Sequence, residues 1–191
     1  LSASPTVVTV GVLVDDTIQA KVGDVYALVD YVIGLTNQSY QNSDVDIRFE
    51  IVAVSGYEPA LSYSDMFDTL SWITCGSTDC SPLSGVNSVV RNWRDTHKAD
   101  LVTQMVYYGT TDSTCGVAQL PVDSANITNR DKLIQYTYSV AALVNPNSGS
   151  VCPDIVVAHE IGHNFGLFHD RETLSNQGWA GVPAPVFPYG F

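Results

Sequence analysis

The chain has 191 residues, of which 45% are hydrophobic and 15% are charged. This balance excludes an intrinsically disordered chain and predicts a single domain, residues 1–191, that buries a core. The net charge of −12, without a basic patch, argues against a nucleic-acid partner. No apolar run approaches the ~20 residues of a membrane span, so no membrane-spanning segment is expected.

Strand and helix patterns alternate along the chain. A β-branched run ending before Asp15 predicts the first strand, and valines and isoleucine at helical spacing predict the helix that follows. The predicted strands are residues 7–14, 46–54, 100–108, 116–120 and 135–144. The predicted helices between them are residues 19–40, 64–73 and 88–98. This order is typical of an α/β fold with a mostly parallel sheet.

A further helix is predicted after the last strand. Pro153 suits its first turn, and the charge of Asp154 suits the positive end of a helix. The sequence that follows, HEIGHNFGLFHD, occupies residues 159–170 and holds three of the four histidines. Most of what the sequence indicates about function lies in this segment.

The spacing of this segment is that of a catalytic zinc site. Residues four apart lie on one face of a helix, so His159 and His163 can direct their imidazoles at one ion. Gly166 is expected to end the helix in the left-handed conformation that glycine tolerates, and His169 then returns as a third ligand. Catalytic zinc usually has three protein ligands and an open fourth position for water.

Glu160 is the predicted catalytic residue. It follows the first histidine and is placed to contact a zinc-bound water without being a ligand. As general base it would take a proton from that water and return it to the leaving amine. The alternative is a chance HExxH on a helix, but the longer HExxHxxGxxH pattern is far rarer.

The extended motif resembles that of the metzincin metallopeptidases. Asp170, directly after the third histidine, resembles the reprolysin (adamalysin-like) branch. The segments TVGVLVDD, ADLVTQMVYYG and CGVAQLP look like successive strands of a bacterial reprolysin-like domain. The resemblance implies a metzincin-type α/β fold with a twisted, mostly parallel five-stranded sheet, an antiparallel edge strand and an active-site helix. It also implies that residues 116–121 form this edge strand and pair with an extended peptide substrate.

Two family features are not matched by this sequence. Metzincins carry a methionine turn after the third histidine, whereas the only methionines here are Met66 and Met105. We therefore expect a missing C-terminal fragment or a second chain; the alternative is a natural short variant. Reprolysin-like domains often hold a calcium remote from the zinc, but Thr9 stands where an acidic ligand is expected. A calcium site is thus possible but unsupported.

The four cysteines indicate an oxidising compartment. An even number in a chain that starts at Leu1, without an initiator methionine, fits a mature secreted protein with two disulfides. Three pairings are possible, and we favour Cys75–Cys80 with Cys115–Cys152. A structural metal site is the alternative, but the spacings do not resemble zinc-binding pairs.

Together these features predict a secreted, extracellular zinc endopeptidase that acts on a protein or peptide substrate with one catalytic Zn²⁺. Two alternatives stay open. The first is a catalytically impaired zinc-binding toxin or interaction module, and the second is a zinc hydrolase of non-peptide amides.

Overall fold

The structure, a computed structural model, describes residues 4–57, 66–77, 80, 86–108, 114–121, 130–144, 149 and 151–169. The strands are β1 (Thr6–Val14), β2 (Ile47–Gly56), β3 (Leu101–Tyr108), β4 (Gly116–Ala118) and β5 (Tyr138–Val144). The helices are α1 (Asp16–Lys21), α2 (Val25–Asn42), α3 (Met66–Cys75), α4 (Ser88–His97), α5 (Arg130–Gln135) and α6 (Val156–Asn164). None of these helices is both long and apolar enough to cross a membrane.

The five strands form one sheet in the order β2-β1-β3-β5-β4. The pairs β1–β2, β1–β3 and β3–β5 are parallel, whereas β4 runs antiparallel to β5 with Gly116 opposite Ala141. The predicted α/β fold, with a mostly parallel sheet and an antiparallel edge strand, is confirmed. The edge strand is shorter than predicted, because the strand pairing stops at Ala118.

Helices cover both faces of the sheet. On one face, α2 and α6 pack on Val10, Val12 and Met105 through residues such as Val29 and Ile161. On the other face, residues of α3 and α4 pack on β3 and β5. Because side chains of a strand alternate between faces, each buried strand contributes to both cores.

The predicted helix over residues 19–40 is wrong at its start. Two helices occupy this region, and the chain is extended at Val22 between them. Asp15 caps α1 by accepting a hydrogen bond from the Ile18 amide at 2.8 Å, and Asp24 caps α2 by accepting from the Ala27 amide at 3.0 Å. Each cap satisfies an amide that has no partner within its helix. Two helices, each with its own N-cap, therefore replace the single predicted helix.

The predicted fifth strand also begins too early. Residues 130–135 form α5, and β5 starts only at Tyr138.

Both favoured disulfides are present, Cys75–Cys80 at the end of α3 and Cys115–Cys152 between β4 and the segment before α6. The second disulfide therefore joins the start of the edge strand to the segment that leads into the helix with the histidine motif.

Candidate metal centre

Helix α6 starts later than the sequence predicted. Its first residue is Val156, and Ile155 precedes it without a side-chain cap. Pro153 and Asp154 lie outside the helix, where the Asp154 carboxylate accepts a hydrogen bond of 2.7 Å from the Tyr31 hydroxyl on α2. The expected stabilisation of the helix start by Asp154 is therefore replaced by a contact between α2 and the segment before α6.

The end of α6 matches the expectation for Gly166. This glycine has a φ of 85°, in the left-handed region. Its amide donates to the His163 carbonyl at 2.8 Å, and the Leu167 amide donates to the Gly162 carbonyl at 3.0 Å. These two bonds form a Schellman motif, which satisfies carbonyls at the helix end and reverses the chain. The reversal brings His169 back beside α6.

The three histidines of the motif converge on one point. The Nε2 atom of His169 lies 3.1 Å from Nε2 of His163 and 3.2 Å from Nε2 of His159. A tetrahedral zinc with Zn–N distances of ~2.0–2.1 Å needs neighbouring nitrogens about 3.3 Å apart. The spacing of the imidazoles thus fits a zinc ion. Among the described residues, this is the only group of three or more metal-ligating side chains close enough to share an ion.

A backbone contact orients one of these rings. The Nδ1 atom of His163 lies 2.7 Å from the Leu167 carbonyl oxygen. Since a carbonyl only accepts, Nδ1 carries the proton and the lone pair of Nε2 is directed at the shared point. This is the hydrogen-bond arrangement that metal-binding histidines usually have.

The surroundings of His159 and His163 favour the neutral form of their imidazoles. Burial, with smaller contributions from the neighbouring His163 and His169, lowers the pKa of His159 to about 4. Burial also lowers the pKa of His163, against the opposing effect of its bond to Leu167. Neutral imidazole is the form that binds a metal, so these shifts favour metal binding near neutral pH.

Glu160 is the buried acid of the site. Its side chain is only 4% exposed, and burial raises the pKa of its carboxyl to about 8. A cation held by the neighbouring histidines would act in the opposite direction, because it stabilises the carboxylate. A carboxyl group with these properties beside a metal is suited to accept and release a proton.

These groups open into a cleft of about 610 Å³. Glu160 and all three histidines line it, together with β4 and several apolar side chains. The apolar lining comes from Phe67, Val117, Leu120, Ile155 and Phe168. The site thus combines a candidate metal centre, a buried acid and the edge of a sheet.

Several residues at this site were not found from the sequence. Leu167 orients His163 through its carbonyl, which any residue could supply, so the sequence holds no signal for it. Asn164 donates from Nδ2 to the Gln119 and Tyr138 carbonyls, both at 3.0 Å. A polar residue on the buried side of the predicted helix was the available signal. Asp170 lies outside the described residues, so its prediction stays untested.

The family comparison agrees with the geometry. The family model for metallo-peptidase family M12, of the reprolysin type, matches residues 4–181. The chain therefore belongs to the reprolysin-like metallopeptidases of family M12. This family is zinc-dependent, and the histidine cluster could hold a metal ion.

The structural comparison concerns the fold alone. A solved structure described as a chaperone-substrate complex aligns with a TM-score of 0.64 and 18% sequence identity. The alignment covers 89% of this chain and 25% of that one, so this chain spans about a quarter of the matched chain. No curated protein matches the chain in sequence.

Proposed function

We propose that this protein is a secreted zinc-dependent endopeptidase. The observation that carries the proposal is the convergence of three imidazole Nε2 atoms beside a buried glutamate, in a cleft bordered by an edge strand. In this proposal His159, His163 and His169 bind one Zn²⁺, and Glu160 is the catalytic residue. When bound, zinc supplies the Lewis acidity that lowers the pKa of water and polarises a carbonyl group.

Glu160 performs the proton transfers. Its carboxylate accepts a proton from the attacking water and then donates it to the nitrogen that leaves when the peptide bond breaks. Burial of the side chain favours its neutral form once it holds the proton. The same group therefore serves as base in the first step and as acid in the second.

Strand β4 positions the substrate. It stands at the end of the sheet order and lines the cleft next to Glu160. An extended peptide can add to such an edge through main-chain hydrogen bonds, which present its scissile bond to the site. This favours a peptide or protein substrate over a non-peptide amide, for which the strand would have no role.

Secretion is supported by the two disulfides. Disulfides persist in oxidising compartments and are rare in the cytosol. Membership of the peptidase family, together with these disulfides, favours an enzyme that works outside the cell.

The experiment compares the zinc-loaded wild type with three variants on casein. Glu160→Gln should retain zinc by elemental analysis and lose activity by at least about 10²-fold, since it removes the proton acceptor. His163→Ala should lose both zinc and activity. His97, exposed at the end of α4, provides the control His97→Ala, which should keep both. A Glu160→Gln variant as active as the wild type would refute the mechanism, and a wild type that binds zinc without cleaving casein would favour a binding module.

A further inference from the structure

The edge strand contacts the proposed catalytic glutamate at a position that has no side chain. Val117 points into the core beneath α3, so its neighbours Gly116 and Ala118 face α6 on the other side of the sheet. A Cβ atom built on Gly116 would lie 2.7 Å from both Cγ and Cδ of Glu160, and closer still to Oε1. The Glu160 side chain therefore occupies the volume that any other residue at position 116 would need.

The strand cannot readily withdraw from this contact. The Cys115 carbonyl accepts a hydrogen bond of 2.8 Å from the Ala142 amide, and the Gln119 amide donates to the Tyr138 carbonyl at 3.0 Å. The Cys115–Cys152 disulfide links the residue beside Gly116 to the segment before α6. Strand β4 is thus held at both ends, and an added methyl group has to be accommodated by Glu160.

From this geometry we propose that Gly116 is a positioning residue for Glu160. Its missing side chain lets the carboxyl group lie against the edge strand, within the cleft and beside the histidines. The inference rests on the proposed function for its effect on turnover, but the contact itself can be tested without it.

The size of the effect follows from the distances. Carbon atoms in contact normally lie ~3.5–4.0 Å apart, so an alanine at position 116 would displace the carboxyl group by roughly 1 Å. A misplacement of about 1 Å in a reacting group can lower the rate by about 10²-fold. We therefore expect Gly116→Ala to lower kcat by between about tenfold and 10²-fold, with zinc content unchanged.

A second crowded glycine supplies a matched control. A Cβ atom on Gly11 in β1 would lie 2.7 Å from the Trp93 ring, and β3 and β5 separate β1 from β4 in the sheet. Gly11→Ala should therefore lower the melting temperature while kcat and KM on casein stay within about twofold of wild type, since a remote site does not couple to the reacting groups. Gly116→Ala should instead lower kcat with a small change in KM.

A double-mutant cycle in thermal stability tests the contact independently of activity. Gly116→Ala should lower the melting temperature in the wild-type background, but much less in a Glu160→Ala background, where the clashing side chain is gone. Equal losses in both backgrounds would overturn the proposal, and so would a zinc-loaded Gly116→Ala variant with wild-type kcat. If the wild type proves inactive on casein, the proposed function fails while the cycle still decides whether Gly116 positions Glu160.

Discussion

The side chain of Asn164 ties the end of α6 to the edge of the sheet. Its Nδ2 atom donates to the carbonyls of Gln119, just after β4, and Tyr138, the first residue of β5, both at 3.0 Å. Asn164 is 9% exposed, so its amide group has little access to water. One amide group thereby fixes the separation between the helix that carries the histidines and the strand that borders the cleft.

Asn164→Ala should reduce both stability and activity. It removes the Asn164 donor from the Gln119 carbonyl and leaves the Tyr138 carbonyl with the Gln119 amide alone, which costs about 1–3 kcal/mol of unfolding free energy. It also loosens α6 against β4, so kcat/KM on casein should fall. Urea unfolding gives the free energy, and initial rates with zinc present give the activity.

Asn37 is the matched control for this substitution. Its side chain joins α2 to β2 by donating to the Phe49 carbonyl at 3.0 Å and accepting from the Phe49 amide at 2.7 Å, away from the cleft. Asn37→Ala should lose a similar amount of stability and retain kcat/KM. If both variants lost activity in proportion to stability, the link between Asn164 and the site would be disproved.

Site residues that share a regular spacing in the sequence can be predicted from it. Site residues that act through tertiary contacts cannot. The sequence places His159, Glu160, His163 and His169 in one candidate site, because helical periodicity and metal chemistry together limit the pattern. Gly116 lies 44 positions before Glu160 in the sequence. Their contact depends on the sheet order and on the packing of α6, which local patterns do not encode.

At the scale of the element, the reversal after α6 determines where His169 lies. Gly166 adopts a φ of 85°, and a Cβ atom there would meet Pro121 only at an ordinary contact distance of 3.7 Å. A substitution at this position is therefore strained by its backbone conformation and not by crowding. Strain at Gly166 would be transmitted to the third histidine, which lies three residues further on.

Gly166→Ala should lower stability by about 1–2 kcal/mol, the cost of a left-handed conformation in a residue with a Cβ atom. Zinc binding should weaken several-fold, because relaxing the strain shifts His169. Gly166→Asn should show a smaller effect, since asparagine tolerates this conformation better. Competition with a chromogenic chelator measures the affinity.

Gly34 in α2 is the control for this series. A Cβ atom there meets nothing within 4 Å, and the position is exposed. Gly34→Ala should raise stability by about 0.5–1 kcal/mol, because alanine favours the helix, and leave zinc affinity unchanged. Zinc affinity unaltered in Gly166→Ala would contradict the role given to the helix end.

Hydrophobic patterns predict the strands better than they predict the break between α1 and α2. The strands were found because β-branched runs bury on both sides of a parallel sheet. The break between α1 and α2 was missed because the apolar spacing of Val22, Val25 and Val29 continues through it. The N-caps Asp15 and Asp24 determine where the two helices begin. The spacing of apolar residues contains no information about such caps.

At the scale of the whole molecule, the two disulfides constrain the fold to different degrees. Cys75–Cys80 joins residues five apart and closes a short loop at the end of α3. Cys115–Cys152 joins residues 37 apart and connects the edge strand to the segment before α6. Both sides of the cleft therefore depend on the longer cross-link and not on the shorter one.

Removing the longer disulfide should have the larger effect on stability and the only large effect on activity. The loop-entropy relation gives about 4 kcal/mol for the Cys115→Ala/Cys152→Ala pair and about 2 kcal/mol for the Cys75→Ala/Cys80→Ala pair. Guanidinium unfolding of both double variants tests this order. Activity on casein, measured at a temperature where each variant is folded, should fall for the first pair because β4 is then free to move away from Glu160, and should persist for the second. Equal activity in the two folded variants would mean that strand pairing with β5 alone holds β4 over the site.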